Sequence, residues 1–157
     1  MEIERKFLVG PHTPDLDPAA STSLRQGYLI IASSGEARVR DADGRYTLTF
    51  KTGSGLVRGE HEIALSAEQF EALWPATAAQ RVEKRRYRLP VGECVAELDI
   101  YSGALDGLKT VEVEFASVDE SERFDVPAWF GREVTGVAGY SNAELAQNGM
   151  PKDVDGQ

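Results

Sequence analysis

The N-terminal stretch Glu2–Val9, which reads EIERKFLV, decides how the rest of the sequence is interpreted. Side chains alternate between the two faces of a β-strand, so Glu2, Glu4 and Lys6 would share one face and Phe7 would lie on the other. A half-buried strand turns its apolar face toward the core, and the simplest interpretation leaves the charged face in water. The remainder of the chain decides whether these charges face solvent or an interior.

The composition is that of one acidic globular domain. The chain has 157 residues, of which 41% are hydrophobic and 27% charged, and its net charge is −9. Such a balance argues against general binding to nucleic acid or to anionic membranes, because both depend on basic surface. It leaves room for an anionic ligand at a local basic site. We expect one domain over residues 1–150 and a disordered tail over residues 151–157.

The cysteine count and the start of the chain bear on location. The single cysteine, Cys94, excludes an intrachain disulfide framework, and we expect it to be a small packed residue in a strand. No apolar run is long enough to predict a membrane span, and the strand pattern begins too early for a signal peptide. The default expectation is a cytoplasmic protein.

Eight alternating runs predict β-strands separated by turn residues. They are Glu2–Val9, Leu24–Ile31, Glu36–Asp41, Tyr46–Lys51, Glu60–Leu65, Val82–Leu89, Glu93–Tyr101 and Thr110–Phe115. Three segments predict helices, at 66–74, 117–124 and 141–149, and the first begins with a capping box of Ser66 and Gln69. An antiparallel sheet of this size can close on itself. The predicted fold is therefore mainly β, an eight-stranded closed antiparallel barrel with a few peripheral helices.

The charged spacing of the first strand recurs along the chain. Like charges lie two residues apart at Glu2 and Glu4, Arg38 and Arg40, Glu60 and Glu62, Lys84 and Arg86, Glu97 and Asp99, and Glu112 and Glu114. One such pair says little, because exposed strand faces are commonly charged. The repetition in almost every strand, with signs that differ between strands, favours a barrel whose charged faces line the interior.

A charged interior needs compensation, because buried charges are costly without partners. Carboxylates are hard oxygen ligands suited to Mg²⁺ or Mn²⁺, whereas Arg and Lys suit phosphate oxygens. The demand for both at once indicates a water-filled tunnel that binds a metal-complexed chain of phosphates. The charges of EIERKFLV are therefore predicted to face this tunnel.

The stretch EIERKFLV resembles the ExExK signature of the CYTH superfamily, the triphosphate tunnel metalloenzymes. Nearly the whole chain resembles short bacterial members, through RQGYL, ARVR, LTFK, GEHEI, KRRYRL, ELDIY, VEVEF, GREVT and YSNAEL in order. One departure is Ala96, where relatives often carry an aromatic residue; by alternation it points outward, which concerns packing rather than chemistry. The resemblance implies a divalent metal, a triphosphate as bound partner and, by analogy, a homodimer. The chain is most similar to the inorganic tripolyphosphatases.

The resemblance also implies a role for each matching residue. Phosphates would be held by Lys6, Arg38, Arg40, Lys51, Lys84 and Arg86. The metal ligands would be Glu2, Glu4, Asp99, Glu112 and Glu114, and the catalytic residues Glu4, Lys6, Tyr28 and Lys84. Glu60, Glu62 and Glu97 would support the basic residues from behind.

The direction in which the side chain points has to be considered separately at three further positions. Tyr28 could be an ordinary packed aromatic residue, but the resemblance favours a tunnel-facing side chain that tunes water or Lys6. Arg25 has the opposite alternation and is expected outside the tunnel. Arg132 could reach the tunnel mouth or pack beside it.

We expect hydrolysis of tripolyphosphate to pyrophosphate and phosphate. The alternatives are a nucleotide or thiamine triphosphatase, a class IV adenylyl cyclase, and a non-catalytic polyphosphate-binding module, which the full carboxylate set disfavours. A base-specific enzyme needs aromatic and directed polar groups around a base. The strand aromatics are expected to pack on the outer face instead: Phe7, Tyr46, Phe50, Tyr87, Tyr101 and Phe115.

Overall fold

The structure is a computed structural model that describes residues 2–53 and 56–153. Nine strands occur in these residues: β1 Glu2–Val9, β2 Ser21–Ala32, β3 Gly35–Ala42, β4 Arg45–Thr52, β5 Val57–Leu65, β6 Arg81–Val91, β7 Cys94–Ser102, β8 Lys109–Glu114 and β9 Phe130–Glu133. The α-helices are α1 Ala67–Leu73, α2 Val118–Glu122 and α3 Asn142–Asn148. Short 3-10 helices span Pro18–Ala20, Trp74–Thr77 and Gly103–Leu105.

The first eight strands close into an antiparallel ring. Around the ring their order is β1, β8, β7, β6, β2, β3, β4 and β5. Strand β5 returns to β1 through two residue pairs, Glu2 opposite Arg58 and Ile3 opposite Val57. The predicted eight-stranded closed sheet is therefore confirmed.

Strand β9 was not predicted. It has four residues and pairs with the second half of β1, with Phe7 opposite Glu133 and Val9 opposite Phe130. A run this short, directly after the aromatic Trp129, has too few alternations to indicate a strand. Strand β1 consequently has β8 along one edge, and β5 and then β9 along the other.

All three predicted helices are present, and α1 begins as its sequence indicates. The Ser66 hydroxyl accepts a hydrogen bond from the Gln69 backbone N–H at 3.0 Å, and the Gln69 side chain accepts one from the Ser66 N–H at 2.8 Å. Phe70, on the inner side of α1, is fully buried and its ring lies 4.9 Å from that of Tyr46 on the outer face of β4. The helix thus covers the outside of the ring.

The apolar outer face of β1, β7 and β8 forms a core outside the tunnel. Its buried members are Phe7, Ala96, Val111, Val113, Phe115 and Phe130, and we call them the outer cluster. Ala96 is completely buried there, as its outward alternation predicts, and Cys94 packs against the same cluster. The ring is therefore held from outside along these strands, which leaves the inner face free for polar residues.

A second apolar cluster lies inside the ring and fills part of it. We call it the plug, and it consists of Leu8, Val82, Tyr101, Leu105, Leu108, Val134, Tyr140 and Leu145. Leu8 shares the inner face of β1 with Lys6, and Val82 shares that of β6 with Lys84. The last helix, α3, contributes Leu145 from the C-terminal part of the chain.

The expectation that Tyr101 packs on the outer face is wrong. Tyr101 lies an even number of residues from Glu97 and Asp99, so alternation turns it inward with them. It is buried in the plug, its ring lies 5.4 Å from Lys84 Nζ, and its hydroxyl donates to Asn142 Oδ1 at 2.7 Å.

The C-terminal residues are described as far as Asp153. Its carboxylate accepts a hydrogen bond from the Tyr140 hydroxyl at 2.7 Å, while residues 154–157 of the predicted disordered tail lie outside the described residues.

Among the helices that the structure describes, none has the length and apolar character needed to cross a membrane.

Gly27 explains the middle of the RQGYL segment. Its neighbours Gln26 and Tyr28 point inward, so position 27 faces outward toward the 3-10 helix Trp74–Thr77. A Cβ atom at this position would overlap the buried Thr77 side chain. Only glycine lets this helix pack directly on β2.

The substitution Gly27→Ala should therefore destabilise the protein by about 1–3 kcal/mol, the usual cost of overpacking. Chemical unfolding monitored by circular dichroism measures this change in the free energy of unfolding. Ser23→Ala, at an exposed position on the same strand, is the control and should change it by less than about 0.5 kcal/mol. Equal stability of the two variants would contradict the close packing at Gly27.

Candidate active site

A cavity of about 650 Å³ lies inside the ring. Most of the side chains predicted for the site line it: Glu2, Glu4, Lys6, Tyr28, Arg38, Arg40, Lys51, Glu60, Arg86, Glu97, Glu112 and Glu114. Lys84 and Asp99 are not among the lining residues, and Glu62 is exposed and accepts a hydrogen bond from Thr49 at 3.1 Å. The charged face of β1 therefore faces this cavity.

One wall of the cavity carries glutamates from two adjacent strands. We call Glu2, Glu4, Glu112 and Glu114 the carboxylate wall. The antiparallel register sets Glu4 directly opposite Glu114, and Glu112 opposite Glu97 on its other side. Like charges in directly opposite positions weaken a sheet. Strand pairing alone therefore does not explain this arrangement, which calls for a positively charged ligand.

Glu4 and Glu112 hold a proton between them. Burial raises the pKa of Glu4, and together with the nearby charges of Glu112 and Glu2 it brings this pKa to about 8. Burial also acts to raise the pKa of Glu112, but Lys6, with its Nζ 3.5 Å away, and the charges of Lys84 and Arg86 lower it overall. At neutral pH Glu4 is protonated and Glu112 ionised.

A second pair of carboxyl groups shows the same behaviour. The hydrogen bond with Glu2 and, next in size, burial together raise the pKa of Glu60 to about 7. Burial acts to raise the pKa of Glu2, but the Glu60 hydrogen bond and the charge of Lys51 lower it overall. Lys51 Nζ donates to Glu2 Oε1 at 3.1 Å. Glu2 and Glu60 thus come close enough to compete for a proton.

Strand β3, on the far side of the ring from β1 and β8, supplies two arginines. Arg38 is buried, and its Nε has no hydrogen-bond partner among the described residues. Arg40 donates from Nε and Nη2 to Gln26 Oε1, at 3.0 and 2.8 Å. Burial, together with the charges of Arg38 and Arg86, lowers the pKa of Arg40 to about 10, so this side chain remains cationic at neutral pH.

Asp99 lies behind the cavity and holds two predicted phosphate ligands. It is fully buried, and both of its oxygens accept from Arg86, at 2.8 and 2.9 Å. Lys84 Nζ lies 2.8 Å from Asp99 Oδ2, an ion-pair distance, but without the direction of a hydrogen bond. Burial acts to raise the pKa of Asp99, and its two cationic partners lower it overall. The role of Asp99 as a metal ligand stays a prediction.

Lys84 is fully buried and has a strongly lowered pKa. Burial is the largest cause that lowers its pKa, the charge of Asp99 opposes it, the charges of Arg86 and Arg40 add to it, and the resulting pKa is about 7. An ammonium with a pKa near neutrality can exchange its proton under physiological conditions. Such a pKa is typical of a functional site, although ion-pair networks also produce it.

Tyr28 and Lys6 have well-defined neighbours. The Tyr28 side chain is fully buried along the cavity wall, and its hydroxyl accepts a hydrogen bond from Gln26 Nε2 at 3.3 Å. Burial raises the pKa of Tyr28, and the charge of Arg38 opposes this effect. Lys6 Nζ donates to the Tyr140 carbonyl oxygen at 2.6 Å. Tuning of Lys6 by Tyr28 stays a prediction.

The sequence did not identify every residue that lines the cavity. Arg58 lines it and pairs with Glu36 at 2.9 Å. Since Arg58 shares a face of β5 with Glu60, strand alternation could have identified it. Tyr140 and Glu144 come from the segment around α3, whose approach to the cavity no local pattern predicts.

The structure places Arg25 outside the tunnel and Arg132 beside Tyr140. Arg25 pairs with Asp41 at 2.8 Å, and its guanidinium lies over the rings of Phe70 and Trp74, which confirms its outward direction. Arg132 donates to the Tyr140 hydroxyl at 2.9 Å and is not among the residues that line the cavity. Of its two interpretations, the structure shows the packed one.

The carboxyl groups along the cavity determine whether a divalent cation can bind there. Within residues 2–53 and 56–153, no three of them converge into a ready metal site. However, Mg²⁺ is usually held by only one or two carboxylates, together with phosphate oxygens and water. The two proton-sharing pairs provide such oxygens, and among the described residues carboxylates outnumber cationic side chains along the cavity. A divalent cation therefore fits the donor set.

The ring and its lining define the class of the molecule as an antiparallel β-tunnel with opposed carboxylate and cationic walls. The chain belongs to the CYTH domain family, which it matches over residues 1–145. It is 48% identical to an inorganic triphosphatase of Nitrosomonas europaea over 92% of this chain and 96% of that protein. It is 35% identical to an inorganic triphosphatase of Acetivibrio thermocellus over 94% of each chain.

Solved structures show the same architecture. The crystal structure of an inorganic triphosphatase superposes with a TM-score of 0.71 and 43% identity, and covers 96% of this chain and 97% of that one. A putative adenylate cyclase of Bacillus halodurans superposes with a TM-score of 0.53 at 19% identity, over 78% of this chain and 84% of that one. The second likeness concerns the fold alone.

The raised pKa values predict how stability depends on pH without metal. Folded Glu4 and Glu60 keep their protons to about pH 8 and 7, whereas unfolded glutamates lose them near 4.5. The folded protein binds more protons between about pH 5 and 7, so its free energy of unfolding should fall as pH rises there. The lowered pKa of Lys84 acts above this range.

Thermal unfolding in EDTA at several pH values measures this effect. Glu4→Gln, which carries no titrating proton, should flatten the dependence over the same range. A Glu4→Gln variant with the same pH dependence as the parent would show that Glu4 is ionised in the folded protein.

Proposed function

We propose that this protein hydrolyses inorganic tripolyphosphate to pyrophosphate and phosphate, with a divalent cation, Mg²⁺ or Mn²⁺, as its cofactor. The observation that carries the proposal is the carboxylate wall and, across the cavity, the arginines of β3. A polyanion with a bound cation complements both walls at once. The two related inorganic triphosphatases support this substrate, since this chain is similar to them over nearly its whole length.

The cationic residues would bind the phosphates from several directions. Arg38, Arg40, Lys51 and Arg86 approach the cavity from β3, β4 and β6. Arginine forms paired, charge-assisted hydrogen bonds with phosphate, and Arg38 Nε, which has no partner among the residues that the structure describes, is available for one. Cations spread around a tunnel suit a linear chain of phosphates better than a single phosphate group. They would also stabilise the negative charge that builds up on the phosphates during hydrolysis.

The carboxylate wall would hold the cation. Glu2, Glu4, Glu112 and Glu114 are the proposed ligands, and Glu4 would release its proton when the cation binds. Such an ion neutralises phosphate charge and lowers the pKa of bound water when present. Glu60 and Glu97 would hold Lys51, Glu2 and Arg86 in place.

Lys84 is the proposed proton-exchanging group. Its Nζ has a pKa of about 7 and can hold or release a proton close to neutral pH. Asp99 would position it, together with Arg86, from behind the cavity surface. Location in the cytoplasm and assembly into a homodimer stay predictions.

Tripolyphosphate should be hydrolysed with a higher kcat/KM than ATP. Tyr28 and Tyr140 are the aromatic side chains among the described residues of the cavity wall, and both are buried, which leaves little surface for stacking a base. Pyrophosphate should be a poor substrate, because it is too short to contact both walls along the tunnel. Phosphate release from tripolyphosphate, pyrophosphate, ATP and thiamine triphosphate, with Mg²⁺ and with Mn²⁺, measures the preference.

An excess of EDTA over metal provides the control for this screen and should abolish activity. A preference for ATP, or cyclic AMP as the main product, would favour a nucleotide enzyme instead. Full activity in EDTA would contradict the need for a divalent cation.

Glu114→Ala should lower activity by about a hundredfold or more, because it removes a proposed metal ligand. The protein should remain folded, since Glu114 is solvent-exposed at the end of β8 and belongs to neither apolar cluster. The increase in melting temperature on adding Mn²⁺ should also be smaller than for the parent. Glu93→Ala, at an exposed position in the β6–β7 turn, is the matched control. Parent-like activity and parent-like Mn²⁺ stabilisation in Glu114→Ala would remove Glu114 from the metal site.

A further inference from the structure

Gln26 connects two residues of the cavity wall. It lies on the inner face of β2, is completely buried, and stands directly opposite Arg40 of β3. Two positions further along β2, Tyr28 stands directly opposite Arg38. These four side chains form a square across the β2–β3 pair, and Gln26 belongs to neither apolar cluster.

The hydrogen bonds fix the direction of the Gln26 amide. Its Oε1 accepts from both Nε and Nη2 of Arg40, at 3.0 and 2.8 Å. Arginine has donors only, so the amide oxygen must face Arg40 and the amide nitrogen must face the other way. Gln26 Nε2 then lies 3.3 Å from the Tyr28 hydroxyl oxygen, to which it donates.

The direction of the amide in turn determines what the Tyr28 hydroxyl can do. A tyrosine hydroxyl has one proton to donate and accepts through its oxygen. That oxygen already accepts a hydrogen bond from the Gln26 amide, and Arg38, which has donors only, stands directly opposite Tyr28 on β3. Within the described residues, the Tyr28 proton has no acceptor at hydrogen-bond distance. It is therefore free to be donated into the cavity.

We propose that Gln26 is a positioning residue: its amide oxygen aims the Arg40 guanidinium at a phosphate, and its amide nitrogen keeps the Tyr28 proton directed toward the substrate. The proposal rests on the proposed triphosphate hydrolysis in the same cavity. The buried Gln26 amide would thereby hold the Arg40 guanidinium and the Tyr28 hydroxyl at a fixed distance from each other. Gln26 itself would not contact the substrate and would act only through Arg40 and Tyr28.

The first test replaces Gln26 with methionine, which has similar volume and no hydrogen-bonding amide. Gln26→Met should raise KM for tripolyphosphate about threefold to tenfold, the equivalent of one lost hydrogen bond at Arg40. It should also lower kcat about tenfold, because the Tyr28 proton loses its direction. Gln80→Met is the matched control, since Gln80 Nε2 donates to the backbone oxygen of Tyr28 at 3.2 Å rather than to the hydroxyl. Its kcat and KM should stay within about twofold of the parent.

Double-mutant cycles separate positioning from a structural role. In a Tyr28→Phe background, Gln26→Met should have less than about a twofold effect on kcat. In an Arg40→Ala background it should no longer raise KM. If Gln26→Met has the same effect in these backgrounds as in the parent, or if Gln80→Met matches it, Gln26 has only a packing role.

A second variant keeps the test valid if Gln26→Met does not fold. Gln26→Glu retains the shape and the acceptor for Arg40, but it presents an oxygen to Tyr28 and draws the Tyr28 proton away from the cavity. It should fold and should lower kcat at least as much as Gln26→Met; a parent-like kcat would overturn the proposal. Every ratio is taken on the triphosphate that the parent hydrolyses best, so a wrong substrate assignment and a wrong role for Gln26 give different results.

Discussion

Repulsion between carboxyl groups inside the ring is the constraint on which the remaining features depend. The register of β1 and β8 sets Glu4 opposite Glu114, and the charges of Glu112 and Glu2 also act on the Glu4 carboxyl group. Burial makes it costly to ionise all of these carboxyl groups at once. Glu4 therefore keeps its proton at pH values well above the ordinary pKa of a glutamate. A cation of higher charge can replace the proton that Glu4 holds. The proposed divalent cation would take the place of this proton.

The rest of the molecule compensates for this unfavourable interior. The outer cluster around Phe7 and Val111 holds β1, β7 and β8 together from outside, where no charge interferes. The plug stabilises the ring from within, through apolar side chains of β1, β6 and β7 and of the C-terminal part of the chain. Asp99 neutralises Lys84 and Arg86 behind the cavity surface. Stability comes from these three regions, which leaves the wall between them free to serve binding and chemistry.

The sequence predicted the parts of this arrangement that depend on strand alternation. Eight strands and the inward direction of Glu2, Arg38 and Glu112 follow from a period of two, which needs no knowledge of neighbours. Alternation gives the face of a side chain but not its depth, and for this reason it could not show that Lys84 lies behind the cavity. It correctly turns Tyr101 inward, and the outward expectation for Tyr101 came from treating aromatic residues as outer packing.

Other features depend on long-range contacts that no local pattern contains. The four residues of β9 become a strand only because the second half of β1 offers them a free edge. Tyr140 reaches the cavity because its carbonyl oxygen accepts a hydrogen bond from Lys6, far away in the chain. The roles of the lining residues toward metal and phosphate were inferred from family resemblance, and they stay predictions until they are tested by substitution.

The three neighbours of β1 have a consequence for how the chain acquires its shape. Strand β1 pairs with β5, β8 and β9, which all follow it in the chain, so both of its edges are occupied only when these later strands have been synthesised. The ring itself can close only after β8, which ends at Glu114, has been synthesised. Closure between such distant segments is slow compared with the formation of local hairpins. An unpaired β1 in this interval is also an open edge to which another nascent chain can add, and its charges Glu2, Glu4 and Lys6 discourage that addition.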